Sequence, residues 1–341
     1  PQFAELMVKE GRADLVAFGR QSLADPAMPK KALEERLEDM TPCIACLQGC
    51  VANMYAGNPI CCLTNPFLGH EAEPIAKTEN PKKVMVIGGG VAGLCAAFIA
   101  KEKGHEVTLY EAGDVLGGNM RLAAYPPGKG DITNMIRSYI HRCQKDGVKI
   151  VMNCEVTPEL IKEEKPDSVI IATGSKTLIL PIEGIDNPAI IHGSDLLDGK
   201  RPAGKKVLVV GGGMVGCETA AFLGEQEHDV TVIEFRDTVG ADVIHEHRVY
   251  LMKDFEDYGI KEITGAKVCK FYEDGVEYET ADGVRHETRG YDSVILSMGF
   301  RNYNPLEEKI KDLVPETHVI GDAIRARRAL DATKEAYEVA S

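Results

Sequence analysis

Positive charge is in deficit: 39 Lys and Arg stand against 53 Asp and Glu, for a net charge of −14. A surface that acidic repels phosphate backbones, which excludes nucleic acid as a partner. Also missing is any apolar run near the ~20 residues that a bilayer-spanning helix needs, so no membrane partner is expected. A disulfide framework is lacking too. Of the ten cysteines, five crowd between Cys43 and Cys62, and Cys95, Cys143, Cys154, Cys217 and Cys269 are scattered through apolar or helical contexts. Scattered thiols of this kind fit a reducing compartment, and a cytoplasmic location is expected. The chain opens on Pro1, not Met, and runs straight into a helix-like pattern, Phe3 to Val8. It is therefore expected to be part of a longer polypeptide. A homo-oligomer is compatible with the sequence.

What is present is glycine, 34 residues of it, placed in patterns. From Lys82 the chain alternates short apolar strands with helices. Val84–Ile87 and Val107–Tyr110 flank a predicted helix over about 91–103. The unit recurs about 123 residues later, with Val207–Val210 and Val230–Ile233 around a helix over about 215–226. Each copy reads as a lysine pair, an apolar strand, three glycines, a helix, then a strand ending before Glu. Such units build a parallel sheet with helices on both faces, so the fold class is α/β. Residues 267–291 alternate polar strands with turns and predict a β-meander. A strand over Thr317–Ile320 and a helix over about 329–340 close the chain. Near the start, Asp14–Phe18 reads as a strand followed by Gly19-Arg20.

The first glycine fingerprint is Gly88-Gly89-Gly90-Val91-Ala92-Gly93. It follows a strand and opens a helix. Gly88 suits the tight turn, Gly90 lets a pyrophosphate approach the backbone, and Gly93 lets the helix pack close to the strand. Glu111, at the end of the next strand, suits a carboxylate accepting hydrogen bonds from a ribose diol. The second fingerprint is Gly211-Gly212-Gly213-Met214-Val215-Gly216, with Glu218 two residues on and Glu234 as its strand-end acid. A carboxylate at Glu234 accepts from a 2′-hydroxyl and repels a 2′-phosphate, which favours NADH over NADPH, although Arg236 lies nearby. Two fingerprints imply two dinucleotides. No cysteine in either glycine-rich region forms a Cys-x2-Cys or Cys-x4-Cys pair, so electrons are expected to leave by another route.

The dense cysteines run Cys43-x2-Cys46-x3-Cys50, then Cys61-Cys62. Four thiolates in such a loop can hold a [4Fe–4S] cube or a structural zinc, and spacing alone leaves both open.

Several further motifs carry a resemblance. The doubled fingerprints, Ile171-Ala172-Thr173-Gly174, Ser297-Met298-Gly299 and Thr317 to Ala323 resemble the two-dinucleotide-binding-domain flavoproteins. In those the first fold holds FAD and the second NAD(P)H. Thr41 to Pro66, with Cys-Leu-Thr-Asn-Pro at its end, resembles the iron–sulfur segment of a narrower family. These are the NADH:flavin oxidoreductases with an old-yellow-enzyme-like barrel, of 2,4-dienoyl-CoA reductase, enoate reductase and trimethylamine dehydrogenase type. Leu116-Gly117-Gly118-Asn119 and Pro126-Pro127-Gly128-Lys129 resemble that family's flavin-facing loops.

The resemblance implies site residues. Cys43, Cys46, Cys50 and Cys62 would ligate a [4Fe–4S] cluster, leaving Cys61 spare. Gly118, Asn119, Lys129, Val156, Ala172, Thr173, Gly174, Gly321 and Asp322 would join Gly88, Gly90, Ala92, Gly93 and Glu111 around FAD, with Asp322 on the ribityl chain. Gly211, Gly213, Gly216, Glu218 and Glu234 would hold NAD(H). Gly19 and Arg20 would contact the phosphate of FMN in the full-length protein. No catalytic acid or base is expected here.

The implied organisation is a remnant of the last βα unit of a TIM barrel at 1–40 and a [4Fe–4S] segment at 41–80. A discontinuous FAD domain follows at 81–185 and 291–341, with an NAD(P)H domain inserted at 186–290. The implied activity passes electrons from NADH through FAD and the cluster to FMN, which reduces an activated C=C bond in a small enone or enoate-type substrate. Alternatives are a non-catalytic ADP-binding module of an amine-dehydrogenase-like enzyme and a glutamate-synthase-like electron-transfer subunit.

Overall fold

The computed structural model describes residues 1–73 and 75–341. The chain divides into two compact units. One comprises Pro1–Arg121, Asp131–Gly174 and Asn302–Ser341, and the other Leu122–Gly130 and Ser175–Arg301. The divide thus falls at Gly174/Ser175 and Arg301/Asn302, and the connecting segments on either side go with the second unit.

The first unit is built on a five-stranded sheet. Its spatial order is Glu316–Val319, Ser168–Ile171, Lys83–Ile87, Glu106–Tyr110, Lys149–Val151, and every pairing is parallel. A parallel sheet covered on both faces demands unbroken apolar strands. Val84, Met85, Val86 and Ile87 are all buried. The helix Val91–Glu102 buries ten of its twelve residues. A helix apolar on every side must be enclosed on every side. Phe98 and Leu94 on it are fully buried in a core shared with Tyr139, Ile136 and Ala336 from the helices Ile132–Lys145 and Ala329–Ala340.

The second unit repeats this plan. Its parallel sheet runs Ile191–His192, Ser293–Leu296, Lys206–Val210, Asp229–Ile233, Lys261–Ile263. The helix Met214–Glu225 takes the place of Val91–Glu102. The expected meander is present as antiparallel strands Lys267–Tyr272, Gly275–Glu279 and Arg285–Thr288. Both folds are α/β and Rossmann-like, and the second interrupts the sequence of the first.

Residues 1–73 depart from expectation in one place. Asp14–Phe18 forms no strand, and Leu15 is 89% exposed. A strand needs a neighbour to take up its backbone groups, and no described strand lies alongside this one. Short helices, Gln2–Lys9, Arg20–Ala24, Met28–Leu33 and Val51–Tyr55, punctuate otherwise irregular chain.

Candidate functional site

The first cradle is assembled at the carboxyl end of Lys83–Ile87. Gly88 has φ +108°, and a Cβ there would lie 2.3 Å from the Ala172 carbonyl oxygen. Only glycine fits this turn. The helix beyond starts at Gly90 with no side-chain cap, so its first N–H groups remain available to a ligand. Over Gly90 lies Gly118, whose own added Cβ would come within 3.1 Å of the Gly90 Cα. Two bare backbones thus face each other. Glu111 is fixed by its surroundings: Oε2 accepts from the Gly89 N–H at 2.7 Å and Oε1 from the Gly113 N–H at 2.7 Å. Each oxygen keeps a lone pair for a ribose hydroxyl.

The late motif reaches the same place. Gly321 (φ +63°) packs against Ala92 of the fingerprint helix, where a Cβ would meet the Ala92 methyl at 3.1 Å. Its N–H donates to Glu335 Oε2 at 2.7 Å, and Arg327 holds the other oxygen of that carboxylate at 2.5 Å. Asp322 Oδ1 accepts from the Arg327 N–H at 3.0 Å. Thr173 Oγ1 donates to the Tyr303 carbonyl, and the Tyr303 N–H donates to the Gly174 carbonyl at 2.9 Å. Val156 is buried near these strand ends among Tyr110, Val169 and Ile171. Glu335 escaped the sequence reading, because a helical carboxylate fourteen residues past Gly321 carries no motif.

The second cradle repeats the first almost atom for atom. Gly211 has φ +105°, with the Ser297 carbonyl oxygen 2.4 Å from its would-be Cβ. The Gly212 N–H donates to Glu234 Oε2 at 2.6 Å, and the Arg236 N–H to Oε1 at 3.0 Å. Glu218 is 7% exposed, and its Oε1 accepts from Lys129 Nζ. Lys129, expected among the flavin-facing residues, therefore serves as a counter-ion inside the second unit. Asp242, which the sequence reading did not single out, accepts from the Met214 N–H at 2.9 Å.

The cysteines converge. Cys43, Cys46, Cys50, Cys61 and Cys62 line one pocket together with Arg20, Leu23, Ile44, Leu47, Leu63 and Thr64. Burial pushes the Cys46 thiol up to about 11, opposed by the Gln48 backbone N–H and reinforced by Cys62, Cys50 and Cys43. Cys61 takes a contact from Asn53 Nδ2 at 3.4 Å and lies against Gly49. Ala45 (φ +52°) and Leu47 (φ +56°) flank Cys46 in left-handed conformations that cost a non-glycine residue energy.

Neighbouring groups hold that loop in place. Gln21 binds the Thr41 carbonyl and the Cys43 N–H, each at 2.9 Å. The buried Tyr139 hydroxyl donates to the carbonyls of Leu63 and Thr64. Among the described residues no three His, Cys, Asp or Glu are gathered tightly enough for a single metal ion. Gly19 and Arg20 open the helix Arg20–Ala24, and Arg20 borders the cysteine pocket. No described helix is long and apolar enough to cross a membrane.

Two nucleotide cradles, one interrupted in sequence by the other, define a protein of the two-dinucleotide-fold oxidoreductase class. Residues 82–315 match the family "Pyridine nucleotide-disulphide oxidoreductase", and the chain belongs to that family. Membership supports FAD and NAD(H) as the molecules the cradles take. No two cysteines within the two folds stand at a Cys-x2-Cys or Cys-x4-Cys spacing.

The whole chain is similar to longer proteins. It is 36% identical to an NADH oxidase of Thermoanaerobacter brockii, covering all of this chain and 53% of that protein. It is 33% identical to a cinnamate reductase of Clostridium sporogenes, covering all of this chain and 51% of that one. A solved 2-naphthoyl-CoA reductase in complex with 2-naphthoyl-CoA superposes with a TM-score of 0.95 at 34% identity, over all of this chain and 52% of that chain. The chain spans about half the length of the curated relatives it matches.

Proposed function

We propose that this chain is the NADH- and FAD-binding, iron–sulfur part of a flavin-dependent reductase whose full-length form carries FMN in a barrel and reduces an activated C=C bond. The observation that carries the reading is the occurrence, within one unit, of a dinucleotide cradle and a pocket bordered by Cys43, Cys46, Cys50, Cys61 and Cys62. The 1–40 segment is read as the last βα unit of that barrel, with Gly19 and Arg20 toward the FMN phosphate. Likeness to a cinnamate reductase and a 2-naphthoyl-CoA reductase supports an unsaturated acid or acyl thioester as substrate class.

The residues fit the groups. In the first unit Gly88, Gly90 and Gly93 admit a pyrophosphate to the helix terminus, Glu111 takes a ribose, and Gly118, Gly174, Gly321 and Asp322 border the remainder of FAD. In the second, Gly211, Gly213 and Gly216 do the same for NADH, and Glu234 selects the free 2′-hydroxyl. Four thiolates from one loop segment can ligate a four-iron cube, and the five cysteines there border one pocket. When bound, the flavin takes a hydride's electron pair and releases it singly, which suits a one-electron cluster. The chain's own task is to orient the nucleotides and to hold the cysteine loop in place through Gln21 and Tyr139.

Anaerobic purification with iron, sulfide and flavin analysis tests this. The expected result is about four irons per chain, bound FAD, and bleaching of both chromophores by NADH. A colourless chain that cannot be loaded with flavin, and on which NADH has no optical effect, overturns it.

A further inference from the structure

The internal repeat extends beyond the fingerprints. Gly117 donates its N–H to the Gly89 carbonyl at 2.8 Å, and Gly240, 123 residues later, donates to Gly212 at 2.7 Å. Leu116-Gly117-Gly118-Asn119 therefore aligns with Val239-Gly240-Ala241-Asp242, and Asn119 and Asp242 hold the same register in the repeat. The two side chains have nearly the same shape. They differ in charge, and in that an amide can donate a hydrogen bond whereas a carboxylate only accepts.

Asp242 uses its position. Oδ1 accepts from the N–H of Met214, the first residue of the helix, and Oδ2 lies 3.4 Å from where a Cβ on Gly213 would sit. Gly213 is the glycine whose bareness lets a pyrophosphate approach. The carboxylate thus holds the donor and the surface that the dinucleotide needs. Two anions cannot share one helix terminus without strong repulsion.

We infer that Asp242 is an affinity-determining residue of the second cradle: an internal anion that the pyrophosphate of NADH must displace, and that speeds nucleotide release. The first unit carries a neutral Asn119 at the aligned position, so its cradle holds no such internal anion from that residue. The inference rests on the reading of the second cradle as the NADH site. Asp242 belongs to the loop between Ile233 and His245, in which Gly240 (φ +62°) supplies a pivot.

The test is a fluorescence titration of the full chain with NADH, for the wild type and for Asp242→Asn and Asp242→Ala. Asp242→Asn keeps an oxygen for the Met214 N–H and so preserves the fold, which a thermal melt verifies. The expected result is NADH binding about tenfold tighter in both variants, with faster release in the wild type. The mirror variant Asn119→Asp should weaken FAD retention by a similar factor. Unchanged or weaker NADH binding in variants that melt like the wild type overturns the inference and leaves the NADH site standing. Failure of all three proteins to bind NADH overturns the reading of that site, and the inference with it.

Discussion

Lys129 Nζ and Glu218 Oε1 form an ion pair within the second unit, where the Glu218 side chain is 10% exposed and that of Lys129 27%. Glu218 lies on the fingerprint helix, and Lys129 lies in the segment Leu122–Gly130, which the sequence inserts between stretches of the first unit. A buried carboxylate tolerates its surroundings only while its partner stays.

Removing one partner should therefore cost more than removing both. Lys129→Met leaves Glu218 without its counter-ion, and should destabilise the chain by about 2 kcal/mol. The double variant Lys129→Met/Glu218→Gln should recover about half of that loss. Urea denaturation of the four proteins in a double-mutant cycle measures it. Additive losses would mean that the two side chains do not interact.

Both cradles were legible in the sequence because their residues answer to hard constraints. Gly88 and Gly211 must bend where no Cβ fits, and Glu111 and Glu234 must end a strand beside them. The 123-residue repeat doubled the signal. Lys129 was placed by the likeness of its loop, and its partner could not be read, since nothing in Pro-Pro-Gly-Lys announces a glutamate 89 residues away. Asp14–Phe18 shows the opposite failure: an apolar run has the composition of a strand whether or not a neighbour stands beside it. Cys46 sits between the two cases. Its spacing from Cys43 and Cys50 was visible, but the left-handed residues on either side of it are a tertiary outcome.

The turn glycines separate the two cofactors. An alanine at Gly88 must move a backbone carbonyl 2.3 Å away, and at Gly211 one 2.4 Å away, each at a φ above +100°. Gly88→Ala should abolish FAD retention. Gly211→Ala should leave FAD bound and weaken NADH at least tenfold. Flavin content after gel filtration and an NADH titration of each variant distinguish them. FAD retained in Gly88→Ala would show that the first cradle is not the flavin site.

Asp39, just ahead of the cysteine segment, ties that stretch of chain to the helix Ile132–Lys145. Lys145, His141 and Arg36 all reach its carboxylate, which is 9% exposed, and hydrogen bonds from Lys145 and His141, followed by that of Arg36, hold its pKa well below the usual carboxylate range. A depressed folded pKa gives stability that is present above the unfolded value, near 3.9, and is lost as pH falls toward the folded one. Wild type should exceed Asp39→Asn by about 2 kcal/mol at pH 7, and the gap should narrow steadily below pH 4. Guanidinium denaturation at several pH values reads this. A gap independent of pH would place the stabilisation elsewhere.

Adjacent cysteines give the sharpest test of the cluster ligands. Cys62 is among the thiols whose charge acts on Cys46, and its Sγ lies 3.4 Å from Thr64 Oγ1. Cys61 borders the same pocket, but its sulfur is engaged by Asn53 and backed by Gly49, where any side chain would collide with the Cys61 carbonyl at 2.4 Å. Cys62→Ser should then lose most of its iron and sulfide, whereas Cys61→Ser should keep both and an unchanged visible spectrum. Iron and sulfide analysis of anaerobically purified protein, with electron paramagnetic resonance of the dithionite-reduced state, decides between them. Loss of the cluster in Cys61→Ser with retention in Cys62→Ser would reverse the ligand assignment, and equal loss in both would mean that the pair acts on the loop's fold and not on the iron.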